Sequence, residues 1–129
     1  MSIHQDTIKR FAQEVLGCGC PDAVFHSIHH NEPESLGWAE VQRLDIGNRL
    51  LVYLVSANDT SPHPTELSDL LAVGREDRDR NGFNRLRLAL FGLTAEQWLS
   101  DPGRWVNGLY PGDDKIHLHI LPAQQYPAI

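Results

Sequence analysis

The stretch Trp38-Ala39-Glu40-Val41-Gln42-Arg43-Leu44-Asp45-Ile46-Gly47-Asn48-Arg49-Leu50-Leu51-Val52-Tyr53-Leu54-Val55-Ser56 decides the architecture. Two strand-like runs flank Asp45-Ile46-Gly47-Asn48, a segment with the turn chemistry of a tight hairpin. Strands are expected over about residues 38–45 and 48–56. The second run, Leu50 to Val55, is apolar on both pleat faces, whereas a strand with one wet face alternates. It is therefore expected to be central and covered on both sides.

Working outward, Ile8, Phe11, Ala12, Val15 and Leu16 share one face of a helix over about residues 4–16, with Ser2 and Gln5 as a capping box and Gly17 as its stop. After Cys18-Gly19-Cys20-Pro21 a single helical turn is expected, Cys20 capping it and Pro21 at its first position. Val24 to His30 reads as extended and Asn31 to Ser35 as a loop. On the other side of the hairpin, Thr65 or Ser61 caps a helix marked by Leu67, Leu70 and Leu71. Phe83, Leu86 and Leu90 resume helical spacing beyond Asn81-Gly82, so residues 65–91 are read as two helices rather than one. Thr94-Ala95-Glu96-Gln97 opens a short helix containing Trp98. The last strand is Lys115 to Leu121, with Ile116, Leu118 and Ile120 on its buried face, and Pro122 stops it.

This order implies a single α+β domain over residues 1–129: a four-stranded antiparallel sheet with helices on one face, ferredoxin-like or a permutation of it. Such a sheet leaves one face open. The two-sided apolar strand then calls for a cover, either a second copy of the chain, making a homo-oligomer such as a dimer, or the tail from Ala123 to Ile129.

The formal net charge of -6 disfavours nucleic acid, which needs a concentrated basic footprint. Arg75, Arg78, Arg80, Arg85 and Arg87 cluster, but Glu76, Asp77 and Asp79 are interleaved with the first three, so a solvated, self-neutralising face is expected ahead of the alternative, an anion site there. No apolar run approaches the ~20 residues of a membrane span. The N-terminus has no basic region followed by an apolar stretch, so no secretion signal is expected. A cytoplasmic, reducing location follows, where a structural disulfide is not expected.

Cys20, as a helix cap, would face amide donors that favour a thiolate, making it nucleophilic or metal-binding. Two thiolates leave a tetrahedral ion two ligands short, and zinc or iron would take histidines. His26 and His30 share a face of the first strand, and His117 and His119 share the open face of the last. The candidate metal set is therefore Cys18, Cys20, His26, His30, His117 and His119.

Leu16-Gly17-Cys18-Gly19-Cys20-Pro21-Asp22-Ala23-Val24-Phe25 resembles a Leu-Gly-Cys-x-Cys-Pro-x-x-Val-Phe pattern of small uncharacterised bacterial proteins. The resemblance implies a bacterial origin and a specific job for the turn, with no activity attached. Lys115-Ile116-His117-Leu118-His119-Ile120-Leu121 is similar to the active strand of histidine triad nucleotide hydrolases. That resemblance makes His117 the nucleophile and His119 the third histidine, with Lys115 standing where the family has its first.

Phosphate loops, Gly-x-Ser-x-Gly elbows, His-Glu-x-x-His helices and dinucleotide fingerprints are absent from the sequence. The expected role is a small oligomeric module that binds a metal or a small-molecule ligand through the Cys-x-Cys turn and the His-rich strands. The alternatives are a thiol oxidoreductase, with Cys20 as nucleophile and Cys18 resolving, or a His117-dependent nucleotide hydrolase.

Overall fold

A computed structural model describes residues 5–17, 19–57, 64–92 and 101–127. Helix α1, Gln5–Arg10, continues as a wider π-type turn, Phe11–Val15, and a short 3-10 turn spans Asp22–His26. Strands β1, Ile28–His30, and β2, Glu34–Ser35, precede the hairpin of β3, Ala39–Ile46, and β4, Leu50–Ala57. Then come α2, Pro64–Asn81, β5, Arg85–Phe91, α3, Pro102–Leu109, and β6, Ile116–Leu121. The short helix expected at 94–97, the caps at Ser2 and Ser61, and Cys18 lie outside the described residues.

The sheet has six strands in the order β1-β3-β4-β5-β6, with β2 also pairing with β3. Strands β1, β2 and β4 run antiparallel to β3, while β5 lies parallel to β4 and β6 parallel to β5. This overturns the four-stranded antiparallel, ferredoxin-like expectation. Two segments account for it: Arg85–Phe91 is a strand and not a second helix, and Glu34–Ser35, expected in a loop, pairs with β3. Leu86 and Leu90 fit a helical period, but with Leu88 they also fit a period of two, and all three are fully buried on one face of β5.

The connections β4-α2-β5 and β5-α3-β6 step across the sheet in the same direction. Crossovers of one hand therefore set both helices on the same face. There Leu67, Leu70 and Leu71 of α2 and Val106 of α3 pack on Leu51, Tyr53, Val55, Leu86, Leu88, Leu90, Ile116 and Leu118. The opposite face is not open. Ile8, Phe11, Ala12 and Leu16 cover Leu50, Val52, Leu54, Ala89 and Phe91, with Val24 and Phe25 beside them. Tyr126 from the tail stands edge-on to Phe91, ring centroids 4.9 Å apart, and Phe11 meets the same ring at 6.0 Å. The two-sided apolar strand is thus the middle of three layers built by the chain itself, and it supplies no argument for a second copy.

Local chemistry accounts for the joints. The hairpin closes through Gly47 and Asn48, both at positive φ, with Asp45 Oδ1 accepting from Asn48 N at 3.0 Å. Helix α2 runs unbroken through Gly74 because that position lies so near Leu86 that a side chain would collide with it. It ends at Gly82, φ +72°, where Phe83 N donates back to Arg78 O at 2.9 Å, a Schellman closure.

The charged run on α2 is only partly a solvated face. Arg80 and Glu76 pair in the open, but Arg78 is buried, with its guanidinium forked on Asp113 at 2.9 and 3.0 Å. Arg78, with Arg75 beside it, holds the Asp113 carboxyl far below the usual range. Arg43 of β3 grips Asp77 at 2.7 and 2.9 Å, and the Tyr53 hydroxyl donates to the same carboxylate at 2.7 Å. These groups tie α2 to the sheet.

Candidate functional site

The α1-facing side of β5 carries Arg85, Arg87, Ala89 and Phe91 in alternation. Ala89 and Phe91 lie beneath α1 and the tail, whereas Arg85 and Arg87 occupy the amino end of the strand. Beside them, in parallel register, β6 presents His117 opposite Arg87 and His119 opposite Ala89. Arg49 arrives from the hairpin turn, its carbonyl accepting from Asn84 N at 2.7 Å, which fixes it next to Arg85. A cavity of about 470 Å³ opens here, walled by Arg49, Arg85, Arg87 and His117, by Leu50 and Asn84, and by Gly17, Gly19, Cys20 and Pro21.

Arg85 Nη1 donates to Asp114 O at 3.0 Å and lies 3.0 Å from His117 Nε2. Arg87 Nη1 donates to Leu16 O at 2.6 Å and lies 3.3 Å from His119 Nε2. A guanidinium only donates, so each Nε2 must accept, and both imidazoles are neutral with the proton on Nδ1. Burial, with Arg87 and Arg85 next in effect, lowers the His117 pKa; burial, Arg87 and His117 push His119 down to about 4. Burial, aided by Arg85, also makes the charge on Arg87 less favourable than usual.

Asp114 and Asp113 act through space on His117, opposing the lowering of its pKa. Among the described residues no carboxylate forms an ion pair with Arg49, Arg85 or Arg87. Arg87 Nε is buried without a hydrogen-bond partner. A desolvated donor left unmatched costs about 1–3 kcal/mol.

The described members of the expected metal set, Cys20, His26, His30, His117 and His119, do not come together. His26 and His30 do not share a strand face, because His26 closes the 3-10 turn and only His30 belongs to β1. His30 is exposed, its Nδ1 3.1 Å from Gln42 Nε2. Strands β1 and β6 are opposite edges of the sheet, four strand spacings or roughly 19 Å apart. His117 and His119 face Arg85 and Arg87 instead of His26 and His30. Cys20 is not a helix cap, since Pro21 precedes the 3-10 turn. It is disulfide-bonded rather than a free thiol. Among the described residues no group of three or more His, Cys, Asp or Glu could hold a metal ion, so the metal-binding expectation is not matched there.

Sequence reasoning misses Arg49, and sets Arg85 and Arg87 in a cluster where an anion site ranks behind a solvated face. The signal is present in Arg85-Leu86-Arg87-Leu88, where charged and apolar residues alternate strictly. Read together with the mixed charges before Gly82, the two arginines look like part of a neutralised surface. Comparison of the chain with protein-family models, with curated proteins and with solved structures finds no match.

Proposed function

We propose that the protein is a ligand-binding module that takes a small anion into the cavity between the hairpin turn, β5 and β6. The observation that carries the reading is the pair Arg85 and Arg87, side by side on one strand face, with no described carboxylate against them and one buried Nε unmatched. Charge taken out of water in a protein is favoured when it is paired, and a bound anion would pair these half-buried guanidiniums. Neutral His117 and His119 leave the arginines as the charge carriers near neutral pH.

Calorimetric titration at low ionic strength with sulfate, phosphate and citrate tests the reading. Binding is expected, weakened by about tenfold or more in Arg85→Gln, because a charge-assisted hydrogen bond contributes roughly 1.5–3 kcal/mol. Absence of binding for every anion at millimolar concentration would discard it.

A thiol–disulfide exchange role is a second reading with one observation behind it: Cys20 is disulfide-bonded and lines the same cavity. It predicts dithiol-dependent reduction of a model disulfide, abolished by Cys20→Ser. A protein inert in that assay would remove it. The histidine-triad reading has no comparable support, because the His117 Nε2 lone pair that a nucleophile would use faces the Arg85 guanidinium.

A further inference from the structure

Resting on the anion reading, we infer that the ligand is a phosphomonoester, its phosphoryl group held by Arg49, Arg85 and Arg87 and its organic part lying along Pro21, Leu50 and Asn84. Three features separate this class from carboxylates and from free phosphate.

The first is charge. Three guanidiniums stay protonated at any working pH, while a carboxylate brings one negative charge and a phosphomonoester about 1.5–2. The dianion leaves less uncompensated charge in a partly desolvated cavity.

The second is the placement of donors. Arg85 and Arg87 leave β5 two residues apart, roughly 6.6 Å along the strand, and Arg49 comes from the neighbouring turn. A planar carboxylate answers one guanidinium fork. A phosphoryl group offers three terminal oxygens that are not coplanar, and so accepts from several directions at once.

The third is room. About 470 Å³ is the scale of small-molecule sites, roughly 300–1,000 Å³, and exceeds what a bare phosphate fills. The rest of the lining adds no further arginine or lysine. Pro21 and Leu50 give apolar contact and the Asn84 amide gives one donor and one acceptor, which suits the carbon skeleton and hydroxyls of an ester. The chain's net charge of -6 opposes the phosphate backbone of a nucleic acid as the source of the group.

Calorimetry on the full chain should compare glycerol phosphate and adenosine monophosphate with inorganic phosphate, with succinate, and with a single-stranded oligonucleotide. At least one monoester should bind about tenfold or more tightly than succinate and more tightly than inorganic phosphate, since one extra charge-assisted bond is enough for that ratio. Arg49→Gln and Arg85→Gln should each lose about tenfold or more, while Arg104→Gln, exposed on α3, changes nothing. Arg49 is exposed, so its variant should fold, and circular dichroism checks this. Succinate binding as well as the monoesters overturns the phosphate class but leaves the anion reading standing; so does equal affinity for inorganic phosphate. An oligonucleotide binding more tightly than either monoester, or an equal loss in Arg104→Gln, also overturns the inference. No binding of any anion to the folded chain overturns both.

Discussion

Acidification should destabilise this protein before its carboxylates titrate, and His119 is the reason. Its pKa is held at about 4, against 6.5 for an exposed histidine, by burial and by the Arg87 charge. The unfolded chain therefore binds a proton that the folded chain refuses, and stability falls as pH drops from the ordinary value toward the folded one. From neutral to about pH 4.5 the cost from this residue alone is about 2 kcal/mol, with an upper bound near 3 once both states are protonated. His117, shifted the same way, adds to the loss. Asp77 and Asp113 are held low by Arg43 and Arg78 respectively, so their contribution is lost only as pH nears the ordinary carboxylate range of ~4 and below. Urea unfolding followed by tryptophan fluorescence, at neutral pH and at about 4.5, reads the difference. His119→Gln keeps an acceptor for Arg87 and removes the titration, so most of the loss should vanish in that variant. Wild-type stability unchanged down to pH about 4.5, or an equal loss in the variant, would refute the reasoning.

Other perturbations probe the frame around the site. Asp77→Ala leaves the Arg43 guanidinium and the Tyr53 hydroxyl without their shared acceptor and should cost about 3 kcal/mol in urea unfolding. Phe11→Ala, which strips the cover from Phe91, should cost about 3–5 kcal/mol; a loss below 1 would show that α1 does not seal that face. Gly47→Ala sets a Cβ against Val24, 2.6 Å from its carbonyl oxygen, at φ +62°, and should lower the thermal midpoint by several degrees or more.

The parts of this fold that can be read from sequence are those whose signals are local. The hairpin turn at Gly47 and Asn48, the amphipathic face of Ile8, Phe11 and Ala12, and the alternation of Ile116 and Leu118 each need only neighbouring residues to interpret. Strand β5 is different. Leu86 and Leu90 satisfy two periods, and the choice is made by β4 and β6 on either side, which no local window contains. That segment makes the sheet mixed, while the face expected to be open is covered by Ile8, Phe11, Ala12 and Leu16.

The site follows the same logic. Cys20 and the histidines stand out by residue type, but function depends on which of them meet. Parallel pairing of β5 with β6 sets His117 against Arg85 and His119 against Arg87, and the strand order sends His30 to the far edge. Arg49 joins only because the hairpin turn lies beside the start of β5. Each of these is a register relation between segments distant in sequence.

The measurement closest to the central claim is proton–nitrogen correlation NMR of the arginine Nε–Hε groups during titration with glycerol phosphate. The Arg87 Nε, buried and unmatched, should show among the largest shift changes, together with Arg85 and Arg49, while Arg43 and Arg78, committed to Asp77 and Asp113, stay still. Shifts at Arg43 or Arg78 with none at Arg85 and Arg87, or no shift anywhere at saturating ligand, would contradict the account.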